Sequence, residues 1–364
     1  MSFLGGRSIV LLLLLTIILP VSAQQNSIFS GLTLQASSAP VPVSDMINGW
    51  DGPFQPGDYA YADGRISFGF GYHGWTLKRE QRWYYYLEFS EQTSRTFSAL
   101  ERGDDIDSGV IDLKVWAFES YGLSILRKFS LTDDLAIEPE ISFYRIGHHQ
   151  YGKLTAVVDS GLSQGEIEGA VGLDYTFDEY KIGWPDHLKF LEANEFNTLS
   201  FDDRDKGEGL SFNLSILYQY SKNWNLNITL LDAWNRQRFS STVNQKVCSQ
   251  SGQPSNPLCG SNGLSGGNQV YSFSSTIPVT LDSVLSYQPW DAKVSYFQHG
   301  RYRRLGISKF WKFGGHRLSV SGYSDRQLGV GWQGRWHLLQ LSADESEAAR
   351  IRDLELTLTF QFHW

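Results

Sequence analysis

Asp353-Leu354-Glu355-Leu356-Thr357-Leu358-Thr359-Phe360-Gln361-Phe362-His363-Trp364 is the stretch that decides the fold. Its even positions are large and apolar, and its odd positions are polar or charged. Side chains on a strand alternate faces, so this segment has one oily wall and one wet wall. A soluble sheet could also use such a strand over a core. The length, however, matches the roughly 9–11 residues that a tilted strand needs to cross a bilayer.

The same two-residue rhythm recurs along the chain. Gly64, Ile66, Phe68, Phe70 and Tyr72 share one face, with Asp63, Arg65 and Ser67 on the other. After a tight turn at His73-Gly74, the stretch from Trp75 to Phe89 sets Leu77, Trp83, Tyr85, Leu87 and Phe89 against Lys78, Glu80, Arg82 and Glu88; Arg79 and Gln81 fall on the apolar face, so the register near the turn is imperfect. Ile111 to Phe129 keeps its phase and reads as one long strand. Strands also fit Ile28–Ala36, Leu135–Tyr144, Leu210–Tyr220, Trp224–Trp234, Val279–Tyr287, Trp290–His299, Tyr302–Trp311, His316–Tyr323, Gln327–Gln333 and Trp336–Ser342. Most of Gly147–Gly207 reads as an external excursion with an extra hairpin near Val157–Val158 and Glu166–Phe177, and Arg236–Gln269 as a second long loop. Short turns on one side and longer connections on the other describe an all-β, antiparallel transmembrane barrel of about 14 strands, with roughly 12 or 16 as the neighbouring even counts. Trp75, Trp224, Trp234, Trp290, Trp311, Trp336 and Trp364 fall at the ends of these strands, where interfacial girdles form.

Composition agrees with this reading. The 364 residues are 19% charged and 14% aromatic, and the mean hydropathy is only -0.29 because half of every such strand can be polar. A formal net charge of -8 argues against nucleic acid as a partner. Arg7, the apolar run Ile9–Leu19 and the small residues around Val21-Ser22-Ala23 read as a secretory signal peptide over residues 1–23, which leaves 24–364 as one barrel domain.

These features together resemble the Gram-negative outer-membrane β-barrel proteins as a class. No narrower family is evident, and no N-terminal hatch motif of the fourteen-stranded fatty-acid transporters is found. The resemblance implies Sec export, residence in the outer membrane as a multi-pass barrel, contact with lipid and lipopolysaccharide, and assembly by the barrel-insertion machinery. That machinery would read Phe360, Phe362 and Trp364. Deleting Trp364 is therefore expected to lower the amount of heat-modifiable barrel in outer membranes; unchanged amounts would count heavily against this role.

Chemistry is harder to find. Cys248 and Cys259 frame a polar stretch and read as one loop disulfide in an exported protein. Asp203, Asp205 and Glu208 have part of a calcium-loop spacing but lack the full motif, so a solvated acidic loop is the simpler reading. Asp104, Asp105 and Asp107 read the same way. Gly161–Gly165 and Gly263–Gly267 match G-x-S-x-G without a helical pattern behind them, so no catalytic serine is assigned. His148 and His149 are adjacent on a strand and point to opposite faces.

With the polar face inward, the lumen would be lined by Asp63, Arg65, Lys78, Glu80, Arg82, Asp112, Lys114, Glu138, Glu140, Asp291, Lys293, Arg304, Arg317 and Glu355. Mixed walls of this kind suit a porin-like channel for small polar solutes, with neither a cofactor nor a catalytic residue. They equally suit a filled barrel braced by ion pairs. A surface binding or structural protein acting through its long loops is the alternative function, and a lipid hydrolase the least favoured.

Overall fold

The computed structural model describes residues 26–48, 50, 52–158, 169–177, 207–251 and 264–364. The expected signal peptide, Cys259, Asp203 and Asp205 lie outside these residues. The described chain forms β1 (Ser27–Ser38), β2 (Tyr59–Tyr72), β3 (Trp75–Phe89), β4 (Gly109–Arg127), β5 (Phe129–Ser130), β6 (Leu135–Val158), β7 (Gly169–Phe177), β8 (Gly207–Ser221) and β9 (Trp224–Ser251). It continues with β10 (Leu264–Ser275), β11 (Thr280–Tyr287), β12 (Ala292–His299), β13 (Tyr302–Phe313), β14 (His316–Tyr323), β15 (Leu328–Gln333), β16 (His337–Ala343) and β17 (Asp353–His363). Two helices lie between strands: α1 (Asp45–Asn48) and α2 (Glu91–Arg102).

Among the described residues, 14 of these strands close an antiparallel ring. The order is β1, β2, β3, β4, β6, β8, β9, β11 and then β12 to β17 in sequence, with β17 returning to β1. The closing seam is in full register, Ser27 opposite His363 and Ser37 opposite Asp353. Closure leaves the ring without a free edge, which is the condition for strands to cross lipid. His73 and Gly74 both take positive φ, 49° and 79°, as a two-residue turn matched to the twist of its strands requires.

The outer face is apolar and exposed. Ile66, Phe68, Phe70, Leu123, Ile125, Phe143, Leu305, Ile307, Val330, Phe360 and Phe362 all point outward, whereas their strand neighbours turn into the barrel. A belt this extensive on a water-soluble monomer would be a liability; against lipid it is the expected solvent-facing surface. Aromatic residues rim it at the end where β1 begins and β17 finishes, called the lower end here: Tyr72, Trp224, Trp290, Trp311, Trp336 and Trp364 are all exposed.

The upper wall differs from the sequence reading. Gln150–Ala156 is strand rather than loop and joins the hairpin expected at Val157–Val158, which pairs with Gly169–Phe177; β9 runs 28 residues to Ser251 instead of stopping at Trp234. Trp234 is therefore not at a strand end. It marks the level at which β9 leaves the lipid belt, one bilayer crossing above Trp224. Beyond that level no lipid demands an apolar face, so the sequence loses its alternation while the backbone ladder continues. In this extension β7 takes the place that β8 holds lower down, pairing with β6 over Gln150–Val158 and with β9 over Val243–Ser251. Ser265 of the second G-x-S-x-G match falls in β10, not on a turn into a helix; the first match lies outside the described residues.

The outer face of this extension is covered by the chain itself. Ser90 caps α2 by accepting from the Thr93 N–H, and Gly103 ends it at φ 69°. Phe97 of α2 then packs against a buried cluster of Ile111, Leu154, Leu173, Tyr175 and Val243. Met46 and Trp50 cover a second cluster around Ala60, Leu87, Phe89 and Val115. Of these, Leu87, Phe89, Ile111 and Val115 read as lipid-facing from periodicity alone; their real neighbours are α2 and the segment around Met46 and Trp50.

Candidate functional site

The lumen is stratified. Its central layer is an ion-pair network on β2, β3, β6 and β9. The Arg82 guanidinium donates twice to Asp63, at 2.8 and 3.1 Å, and once to Asp232 at 2.9 Å. Arg65 donates to Asp63 at 2.7 Å. Lys78 bridges Glu80 and Glu140 at 3.0 and 2.9 Å. Arg82, Asp63 and Asp232 are all buried. Two carboxylates around one guanidinium satisfy the fork geometry of arginine and leave none of the three charges bare.

Asp232 was not legible as a lumen residue. It lies in the apolar run Leu230-Leu231-Asp232-Ala233-Trp234, and the pairing of β8 with β9 slips there, between Phe212–Trp234 and Leu214–Leu230. The bulge turns Asp232 inward at φ 54°. Asn213 Oδ1 accepts from its backbone N–H at 2.7 Å, and Asn235 ties the bulge to Ile277 through two hydrogen bonds. An aspartate in an apolar strand run was the available signal, since Asp tolerates the left-handed region better than most residues.

Above the ions lies an aromatic layer that spans the lumen. Tyr61, Tyr84, Tyr86, Phe118, Tyr151, Phe239, Phe297 and Tyr302 form one buried cluster drawn from opposite walls. Arg82 joins the two layers, its guanidinium 5.0 Å from the Tyr84 ring and 5.6 Å from that of Phe118. His299 stacks on Tyr61 at 4.5 Å and hydrogen-bonds Tyr84 and Thr280 through its two ring nitrogens.

The layer is sealed by the turn between β12 and β13, which folds into the mouth. Gly300, at φ 53°, lies against the Tyr86 hydroxyl so closely that a Cβ would collide with it. The Arg301 N–H donates to Tyr86 Oη at 3.0 Å, and its guanidinium reaches the Phe89 carbonyl at 2.8 Å and Asp58 at 3.2 Å. Gly300→Val is strained in both backbone and space, so it is expected to lift the turn out of the mouth. Trypsin added to intact outer membranes should then cleave after Arg301 in the variant and spare the parent; equal resistance would refute the docked turn.

Below the aromatic layer is a chamber of about 510 Å³. Of the residues assigned to the lumen from sequence, Asp63, Arg65, Lys78, Glu80, Lys293, Arg304 and Glu355 line it. Arg82 lies at its roof, while Glu140 reaches its wall through Lys78. Arg304 pairs with Glu355 at 2.6 Å. The others stand apart. Lys114 pairs with Glu88 above the aromatic layer, and Asp112 faces Lys153 at the limit of an ion pair, 4.0 Å. Glu138 is on β6 below Glu140. Asp291 belongs to the lower turn, where it holds Lys312 and Arg317. Asp282, Phe297, Phe310 and Tyr323 line the chamber and were not singled out from sequence.

Cys248 is buried near the top of β9, but with Cys259 outside the described residues their disulfide stays an expectation. Glu208 is exposed on β8, and among the described residues no three His, Cys, Asp or Glu side chains converge as metal ligands.

No protein-family model matches the chain, and no curated protein matches it. Solved structures do. The toluene transporter TodX of Pseudomonas putida is 10% identical with a TM-score of 0.40, over 94% of this chain and 91% of that one. A FadL homologue of Pseudomonas aeruginosa is 9% identical with a TM-score of 0.25, over 93% and 90%. The outer membrane protease OmpT of Escherichia coli is 7% identical with a TM-score of 0.24, over 96% and 100%. All are outer-membrane barrels, and the likeness is one of architecture only. The assignment of a closed barrel rests on the strand ring and its apolar belt.

Proposed function

We propose that this outer-membrane-type barrel is a gated channel for small polar solutes. The observation that carries the reading is the chamber: about 510 Å³, walled by charges of both signs, beneath a mouth closed by the aromatic layer and the turn docked on it. That volume falls in the range of small-molecule sites. Solutes would enter from above when the β12–β13 turn withdraws, pass the ion-paired wall, and leave at the lower end. The proposed setting is the outer membrane, with the apolar belt in lipid and the β6–β7–β9 extension beyond it, where lipopolysaccharide is the neighbour. The Cys248–Cys259 pair would brace the top of β9 there, and thiol labelling with and without reductant would reveal it.

Planar-bilayer recordings test the channel. The parent protein is expected to show rare openings, and the Gly300→Val variant frequent ones. Silence from both would remove the channel reading and leave the tall upper wall, as a surface for recognition, the better account.

A further inference from the structure

Two charges in the chamber are not used by the barrel. Asp282 and Lys293 both face it, on the neighbouring strands β11 and β12. Among the described residues neither takes part in an ion pair, although Arg65, Lys78, Glu80, Arg304 and Glu355 around them all do. Lys293 Nζ instead rests 4.7 Å over the Phe310 ring. A charge that faces a chamber without an ion-pair partner is available to a solute and offers it a strong, directional contact.

Their placement sets the chemistry. Asp282 lies opposite Phe297 and Lys293 opposite Ser286, so four strand positions separate them. At about 3.3 Å per residue that is roughly 13 Å along the wall. The field has the same sense beyond the pair. At the Asp282 end, Glu355 adds a second carboxylate and Arg304 one cation. At the Lys293 end, Arg317 and Lys312 outnumber Asp291. The wall is therefore acidic above and basic below, and it points along the barrel axis.

We infer that the chamber binds dipolar solutes carrying both an ammonium and a carboxylate, of the length of a short peptide, with the ammonium at Asp282 and the carboxylate at Lys293. Both side chains project from the wall, so allowing a hydrogen bond of about 2.8 Å at each end of that separation leaves roughly 7 Å, a span suited to about two or three residues. An anion or cation alone would gain one contact and meet repulsion at the other end; a zwitterion gains both. The inference deepens the channel reading, but binding can be measured without any conductance.

Calorimetry on the purified barrel in detergent, with trialanine as the probe, tests it. Free trialanine is expected to bind, and N-acetylated or C-amidated trialanine at least about tenfold more weakly, the loss of one charged contact. Asp282→Asn should abolish the penalty for N-acetylation alone, and Lys293→Gln the penalty for C-amidation alone. Variants that merely disturb the fold would weaken all three peptides together and lose heat-modifiability. Equal affinity for free and blocked peptides, no binding of any, or variants that do not act on their own terminus would each overturn the assignment. Should the channel stay electrically silent while these preferences hold, the site stands and the passage reading falls.

Discussion

Arg82→Ala should destabilise the barrel more than any other single truncation in the lumen. The change removes the guanidinium that joins Asp63 on β2 to Asp232 on β9 and leaves two buried carboxylates, of which Asp63 keeps Arg65 as its cation while Asp232 loses its ion-pair partner. Breaking one side of a buried pair costs about 3–5 kcal/mol, because the surviving charges lose their compensation in a place that water reaches poorly. The expected readout is a fall in the temperature at which the folded, fast-migrating band disappears on electrophoresis. Arg82→Met combined with Asp63→Asn and Asp232→Asn removes the three charges of this triad at once and leaves Arg65 to pair with Glu80. It should recover most of that loss, since replacing a buried ion network by neutral groups is often nearly neutral. A single variant as stable as the parent would show that the cluster is solvated and contributes little.

The second large effect is expected at the mouth. Tyr86 and Tyr302 are each almost wholly buried and belong to opposite walls, β3 and β13. Tyr302 stacks on Tyr59 at 5.4 Å and Tyr86 on Trp116 at 5.5 Å. Truncating both to alanine removes two rings from the aromatic layer and the hydroxyl that receives the Arg301 N–H. An apolar constriction that excludes water would become wide enough to wet, so unit conductance in planar bilayers should rise about tenfold or more. Burial on this scale also stabilises, at about 3–5 kcal/mol for each large aromatic side chain truncated, so the double variant should melt earlier as well. Comparison with Arg82→Ala separates the two layers. That variant should lose stability with little change in conductance, whereas the aromatic variant should change both. If the aromatic variant melted earlier yet conducted no better, the seal would lie elsewhere.

The fold was readable wherever lipid imposes a rule. From Ile28 to Phe362, the strands that cross the belt show lipid an apolar residue at most second positions, with Arg79 and Gln81 on β3 as interruptions, and that requirement writes the period, the approximate strand count and even the closing strand into the sequence. The rule lapses above the membrane. Gln150–Ala156 and Arg236–Ser251 continue as strands without showing it, and Leu87, Ile111 and Val115 alternate as though facing lipid although α2 and the segment around Met46 and Trp50 cover them. Lumen charges were legible as a class because polar residues opposite an apolar belt have one place to go. Their pairing was not, since Arg82 and Asp232 are 150 positions apart and meet through a bulge that moves Asp232 across the strand.

The sequence by itself determined a closed sheet with an oily outside and a wet inside, because side-chain alternation is a local property that each strand carries alone. Whether that inside is open, and which of its charges are spoken for, was decided by the tertiary structure. Tyr61, Tyr86 and Tyr302 seal the mouth only because curvature brings opposite walls within reach of one another. Among the described residues Asp282 and Lys293 are left over because the neighbouring charges found partners on other strands. Both outcomes depend on distances between residues far apart in the chain, which no periodicity encodes.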